Sequence, residues 1–254
     1  LKNLFDFRPR KITNHKKFNV VMIIPTGIGA EIGGDSGDAN VAAKLIGSIV
    51  DTLITHPNVV NAADINEMTP NTLYVEGSIL TRFIMGTVGL NLVKSNKILL
   101  IYDKIDDDTV NFLDPTKKVE KYIQNVTINT ASAARVTLGN SIDVYQMTEL
   151  PIYRPYFNDK NVAVGEILNI EHLLKVVEKF KDQYDAFALH TIMEPDDGTI
   201  FERYFNDELD VNPWGGLEAS VTHTISDIFD VPTAHAPMLA DGTINYEYGI
   251  VDPA

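Results

Sequence analysis

Residues 18–40 read FNVVMIIPTGIGAEIGGDSGDAN, and this stretch decides the fold. Residues 18–24 form an apolar run rather than an alternating one, which is the pattern of a parallel strand buried on both faces. Beyond the loop, Val41, Leu45, Ile46, Ile49, Val50 and Leu53 recur at helical spacing. They predict a helix over about 39–53 with Asp38 as its N-cap. Between strand and helix, Gly27, Gly29, Gly33, Gly34 and Gly37 fall within eleven residues, beside Glu31, Asp35 and Asp38. A loop that permissive, set between a strand and a helix N-terminus, is suited to closing backbone N–H groups on a ligand.

Working outward, residues 1–17 are polar and basic and read as an N-terminal arm. Val59 and Val60 suggest a short second strand, and residues 73–85 a helix. Strands follow at 97–102, 142–147 and 184–190, with a sixth strand end or tight loop at 232–237. Helices are expected over 110–138, 170–180 and from Trp214 to about 229; 151–169, with two prolines and Tyr153, Tyr156 and Phe157, reads as an excursion. Alternating strands and helices predict an α/β fold, mainly parallel, a Rossmann-like three-layer sheet with helices on both faces. Residues 18–254 read as one domain, since no low-complexity linker divides them.

Composition limits the function classes. The chain has 254 residues, enough for a large core, and a net charge of −14. That charge argues against nucleic acid and anionic membrane as partners. There are no cysteines, so disulfides, thiolate catalysis and Cys-ligated metal centres are excluded for this sequence. No run of 18 apolar residues predicts a transmembrane helix, and no apolar segment follows the basic residues of the first eleven as a secretory leader requires. A cytoplasmic location is therefore the expectation.

Parallel α/β sheets bind ligands at the carboxyl ends of their strands. The residues there are Thr26, Asn61, Asp64, Asp103, Glu149, His190, Glu194 and His235. Four constellations compete. Gly27, Gly29 and Gly33 after a strand, with Asp64 further on, resemble a dinucleotide fingerprint. But Asp64 lies thirty residues past Gly34, and the loop acids have no Lys or Arg between Lys17 and Lys44 to offset them. NAD therefore ranks below a divalent cation such as Mg²⁺ as a cofactor. Asp35, Asp38, Asp64, Glu67 and Glu76 can bind an amine, hold such a cation or act as a base, or can simply serve as helix caps and turn residues. His190 and His235 converge if their strands adjoin; each taken singly suits a structural role. Glu218 and His223 lie about 140° apart on a helix and share no face. Finally, Gly215 and Gly216 at a helix N-terminus offer free N–H groups to an anion, or merely let the helix approach its neighbour closely.

The motifs at 25–40 and 55–68 (THPNVVNAADINEM), at 73–90 (LYVEGSILTRFIMGTVGL), and WGGLEA with AHAP resemble an uncharacterised domain-of-unknown-function family. That family occurs in bacteria, notably cyanobacteria, and in plant plastids. The resemblance covers most of residues 18–250. It carries over no activity, fold or cofactor, but it implies that these loops are family hallmarks.

The reading that follows is an enzyme of hydrolase, lyase or isomerase type acting on a polar metabolite. Asp38, Asp64, His190 and His235 would be catalytic. Thr26, Gly27, Gly29, Gly33, Gly34, Asp35, Asn61, Glu76, Gly215, Gly216 and Glu218 would bind substrate. The alternatives are an NAD- or nucleotide-binding protein and a non-catalytic metabolite binder. A homo-oligomer built through the basic arm and the 153–157 aromatics is a further expectation.

Overall fold

The computed structural model describes residues 15–24, 39–60, 64–93, 95–104, 119–160, 162–193, 203 and 214–238. The chain divides into two compact units. One is built mainly from residues 33–93, with 1–26 and 252–254, and the other from 94–251, with 27–32.

In the first unit, β1 (Asn19–Val21), β2 (Thr52–Thr55) and β3 (Thr72–Tyr74) form a parallel sheet in that order. Helix α1 (Asn40–Gly47) and a 3-10 turn (Asp64–Glu67) pack around it, and α2 (Gly77–Ile84) follows β3. Ala43, Leu53, Val59 and Val60 are fully buried and form its core with Val20, Met22 and Ile24. Two expectations change here. β1 is an edge strand of three residues, and Phe18 and Ile23 are exposed, so the apolar run is not buried on both faces. The predicted 39–53 helix stops early, because residues 52–55 (TLIT) leave it to become the central strand; Val59 and Val60 are buried turn residues instead. The helical spacing of Val41, Leu45 and Ile49 is genuine, but these side chains face outward.

Closing the turns of this unit uses polar side chains. The Asn71 amide donates to the carbonyls of Gly47 and Val50. His56 Nε2 accepts the Ile24 N–H at 3.0 Å, and burial lowers its pKa, so the ring is held neutral as an acceptor must be.

The second unit is larger. β4 (Lys97–Asp103), β5 (Ser141–Met147), β8 (Ala186–Ile192) and β9 (Thr233–Met238) make a parallel sheet of order β5-β4-β8-β9. β6 (Ile152–Phe157) and β7 (Ala163–Leu168) form an antiparallel pair, where the sequence suggests an irregular excursion. Helices α3 (Val119–Leu138), α4 (Ile170–Phe180) and α5 (Gly215–Phe229) accompany these strands. Leu173 and Val177 of α4, and Leu217, Val221 and Ile225 of α5, repeat at i, i+4 and are completely buried against Phe187 and Leu189 of β8. At about 25 cal/mol per Å² of apolar surface, each such side chain contributes roughly 1.5–3 kcal/mol. The fold is thus α/β with parallel sheets. The described strands form three separate sheets, one of them antiparallel, rather than one continuous layer.

Candidate functional site

Strand parity in the second unit sorts the polar residues at the carboxyl ends. Side chains alternate between faces along a strand, and residues paired in a parallel register share a face. β8 buries Phe187, Leu189 and Thr191 in alternation. The β8–β9 register pairs Leu189 with His235 and His190 with Ala236. His235 therefore lies on the face of Leu189 and Thr191, and His190 on the opposite one. The two strands do adjoin, but an offset of one residue keeps the two rings from converging.

On the face of Thr191, three side chains form a hydrogen-bonded chain. His235 Nδ1 meets Glu218 Oε1 at 2.7 Å, and His235 Nε2 meets Thr191 Oγ1 at 2.8 Å. The imidazole is almost wholly buried, Thr191 is completely so, and the Glu218 side chain remains 22% exposed. An ionised carboxylate has no donor, so His235 Nδ1 carries the hydrogen toward Glu218. In the neutral ring Nε2 then accepts from the Thr191 hydroxyl. The arrangement is acid, imidazole, hydroxyl, with the carboxylate fixing the tautomer.

Two further polar groups stand beside this chain. Asp103, at the end of β4, is buried; its Oδ2 accepts the Ile192 N–H at 2.8 Å, while Oδ1 has no hydrogen-bond partner among the described residues. Burial raises the Asp103 pKa to about 6, against the opposing pull of the Ile192 N–H and of His235. Tyr153 of β6 is also buried. Its pKa is raised first by burial and then by the charge of Asp103, against the opposing pull of a hydrogen bond with the neighbouring Thr191 hydroxyl. Burying Asp103 Oδ1 without a partner costs stability.

The opposite face is simpler. His190 Nδ1 and Thr127 Oγ1 of α3 lie 3.0 Å apart. Burial, and then the nearby His235, lower the His190 pKa to about 4.

Helix α5 is seated by glycine and tryptophan. A Cβ on Gly216 would lie 2.3 Å from the Ala163 carbonyl oxygen, so only glycine lets the helix start approach β7. The Trp214 indole N–H donates to the Met193 carbonyl at 2.7 Å. These contacts hold Glu218, one turn into the helix, toward His235. The close approach is itself sufficient reason for Gly216.

The other residues named from sequence fall elsewhere. Glu76 belongs to the first unit. It is the N-cap of α2, accepting the N–H groups of Ser78 and Ile79. Thr26, Gly27, Gly29, Gly33, Gly34, Asp35, Asp38 and Asn61 lie outside the described residues, as does the Asp64 side chain. Glu149 accepts from His172 Nδ1 at 2.6 Å on the surface. His223 Nδ1 donates to the Ala219 carbonyl within its own helix. Sequence reasoning did not single out Thr191, and it named Tyr153 only among the aromatics of the 151–169 excursion. The signal for Thr191 was present: it is the one hydroxyl on the buried parity of an otherwise apolar strand. Among the described residues no cluster of three or more metal-ligating side chains occurs.

The chain is 35% identical over 221 residues to an uncharacterized lipoprotein of Synechococcus sp., covering 86% of this chain and 58% of that protein. The chain thus spans little more than half the length of the curated relative it matches. The cytoplasmic location expected from sequence is corrected by this relative, whose name makes it a lipoprotein. Among the described residues no helix is long and apolar enough to cross a membrane. No solved structure matches the chain. Residues 19–250 match the model of a protein family of unknown function, DUF3326, and the chain belongs to that family.

Proposed function

We propose that the second unit carries a small-molecule site at the carboxyl ends of β4, β8 and β9, and that the protein is an enzyme acting there on a polar metabolite by proton transfer. The observation that carries this reading is the Glu218–His235–Thr191 chain, with both imidazole nitrogens committed and a buried carboxylate, Asp103, alongside. A buried histidine satisfies both nitrogens whatever its role, and its partners decide what chemistry it can do. One aligned between a carboxylate and a hydroxyl is set up to accept a proton at Nε2 and be stabilised as imidazolium by Glu218. Hydrolase, lyase and isomerase steps all use such a group.

The reading includes a Rossmann-like three-layer core for this unit. Thr127 of α3 meeting His190 on one face, and α4 and α5 covering the other, support that arrangement. The test is mass spectrometry of small molecules released from gently purified protein, wild type beside His235→Gln. The wild type should release a species that the variant retains at least about tenfold less, a change of about 1.4 kcal/mol in binding. Equal release from both, or none from the wild type, contradicts the reading.

A further inference from the structure

We infer that His56 is a pH-operated latch on strand β1: its neutral ring takes the last hydrogen bond of the β1–β2 pairing, and protonation releases it. The latch belongs to the first unit alone and stands apart from the site proposed above. Its place follows from the ladder. Alternate residues of a parallel strand donate to carbonyls of its neighbour. The Met22 N–H donates to the Ile54 carbonyl at 3.0 Å. Two residues on, the next rung would run from the Ile24 N–H to the His56 carbonyl. That carbonyl is already engaged: it accepts the N–H groups of Val59 and Val60, at 2.9 and 3.2 Å, in the turn that buries both. The His56 side chain takes its place, with Nε2 accepting the Ile24 N–H at 3.0 Å. Ile24 and His56 each precede a proline, Pro25 and Pro57, which has no N–H to extend the ladder further.

The substitution makes this rung titratable. A carbonyl accepts at any pH, whereas an imidazole nitrogen accepts only while it is unprotonated. A proton taken from water onto Nε2 sets a donor against the Ile24 N–H. The imidazolium so formed is also buried and poorly hydrated, which is costly. No charged side chain among the described residues acts on the ring; burial is what lowers its pKa below 6.5. The bond therefore contributes fully above about pH 6.5 and is lost as pH falls through the lower folded-state value. β1 is a three-residue strand at the edge of its sheet, so one rung is a large share of its hold. Its other end is tied separately. The Phe18 N–H donates to Asp51 Oδ2 at 2.7 Å, and the Asp51 N–H to the Phe18 carbonyl at 2.9 Å. Acid thus frees residues 23–24 while the rest of the pairing persists.

Amide hydrogen exchange of the full chain, read residue by residue by NMR and corrected for the intrinsic pH dependence of exchange, tests this in wild type, His56→Gln and His56→Phe. Wild-type Ile24 protection should fall by about tenfold or more between pH 7 and pH 4. Leu53, whose N–H donates to the Asn71 carbonyl on the other side of β2, should keep its protection. In His56→Gln, whose amide oxygen accepts at every pH, Ile24 should stay protected across the same range. His56→Phe fills the space without an acceptor and should leave Ile24 unprotected already at pH 7. Wild-type Ile24 protection that is equal at pH 7 and pH 4 overturns the inference. So does a fall shared equally by Leu53, which marks opening of the whole unit, or a fall that persists unchanged in His56→Gln. The wild-type comparison of Ile24 with Leu53 decides the matter even where a variant fails to fold.

Discussion

His190 and His235 stand on neighbouring strands at nearly the same level of one sheet, yet their surroundings differ in every respect that matters for chemistry. His190 turns to the α3 face, meets the hydroxyl of Thr127, and is pushed down to a pKa of about 4 by burial. It is neutral across the physiological range. His235 turns to the α5 face and has a carboxylate on one nitrogen and a hydroxyl on the other. A single step in register separates a core histidine from the one we propose to move protons. The difference teaches that position at a strand's carboxyl end does not by itself assign a role; the face does.

The comparison breaks most severely if α5 is displaced. Gly216→Ala puts a methyl group into the Ala163 backbone carbonyl, which has no flexible side chain to yield. Urea unfolding should show a loss of about 3 kcal/mol or more. Where the variant still folds, the shifted helix should carry Glu218 out of hydrogen-bond reach of His235.

The next effect has the opposite sign. The folded-state pKa of Asp103, about 6, exceeds the ordinary 3.8, so the folded state binds the extra proton between those values. Its contribution to stability is fully present below about pH 4 and is lost as pH rises through 6. At pH 8 the buried charge costs up to about 3 kcal/mol. Asp103→Asn should therefore stabilise the protein by up to that amount at pH 8, with the gain vanishing by about pH 4, as unfolding midpoints across pH will show.

His190 has the reverse linkage. Its folded-state pKa is depressed, so its contribution is present above about pH 6.5 and lost as pH falls toward 4. The two slopes oppose each other over the same window. Replacing His190 with Gln should remove its share, about 3 kcal/mol between pH 7 and pH 4, and leave the downward slope of Asp103 exposed. If His190→Gln instead abolished ligand release as His235→Gln is expected to, the distinction between the two faces would fail.

How much of this was readable from sequence depends on local periodicity. α4 and α5 announce themselves through apolar residues at i and i+4, β4 through a compact apolar run and β5 through apolar residues alternating with Asp143 and Gln146; all four lie where the sequence puts them. β2 was not legible, because the helical repeat of 41–50 continues through Leu53, and only packing shows that residues 52–55 are the central strand. The β6–β7 pair was hidden by Pro155 within β6, a residue that ordinarily argues against a strand. For the site, Glu218 and His235 were both named, but nothing in a seventeen-residue separation reveals that they touch. Register decided that, and register comes from long-range pairing. Thr191 and Tyr153 matter only because burial surrounds their hydroxyls, and burial is a property of the assembled unit.

The most direct measurement is ¹⁵N NMR of the two imidazoles in wild type and in Glu218→Gln. The account predicts that His235 in the wild type holds its hydrogen on Nδ1, with Nε2 accepting. It predicts that Glu218→Gln, whose amide can accept or donate, shifts that tautomer population while the His190 signals stay in place. A wild-type His235 with its hydrogen on Nε2 alone, or a tautomer balance indifferent to Glu218→Gln, would contradict the relay and with it the assignment of the α5 face as the functional one.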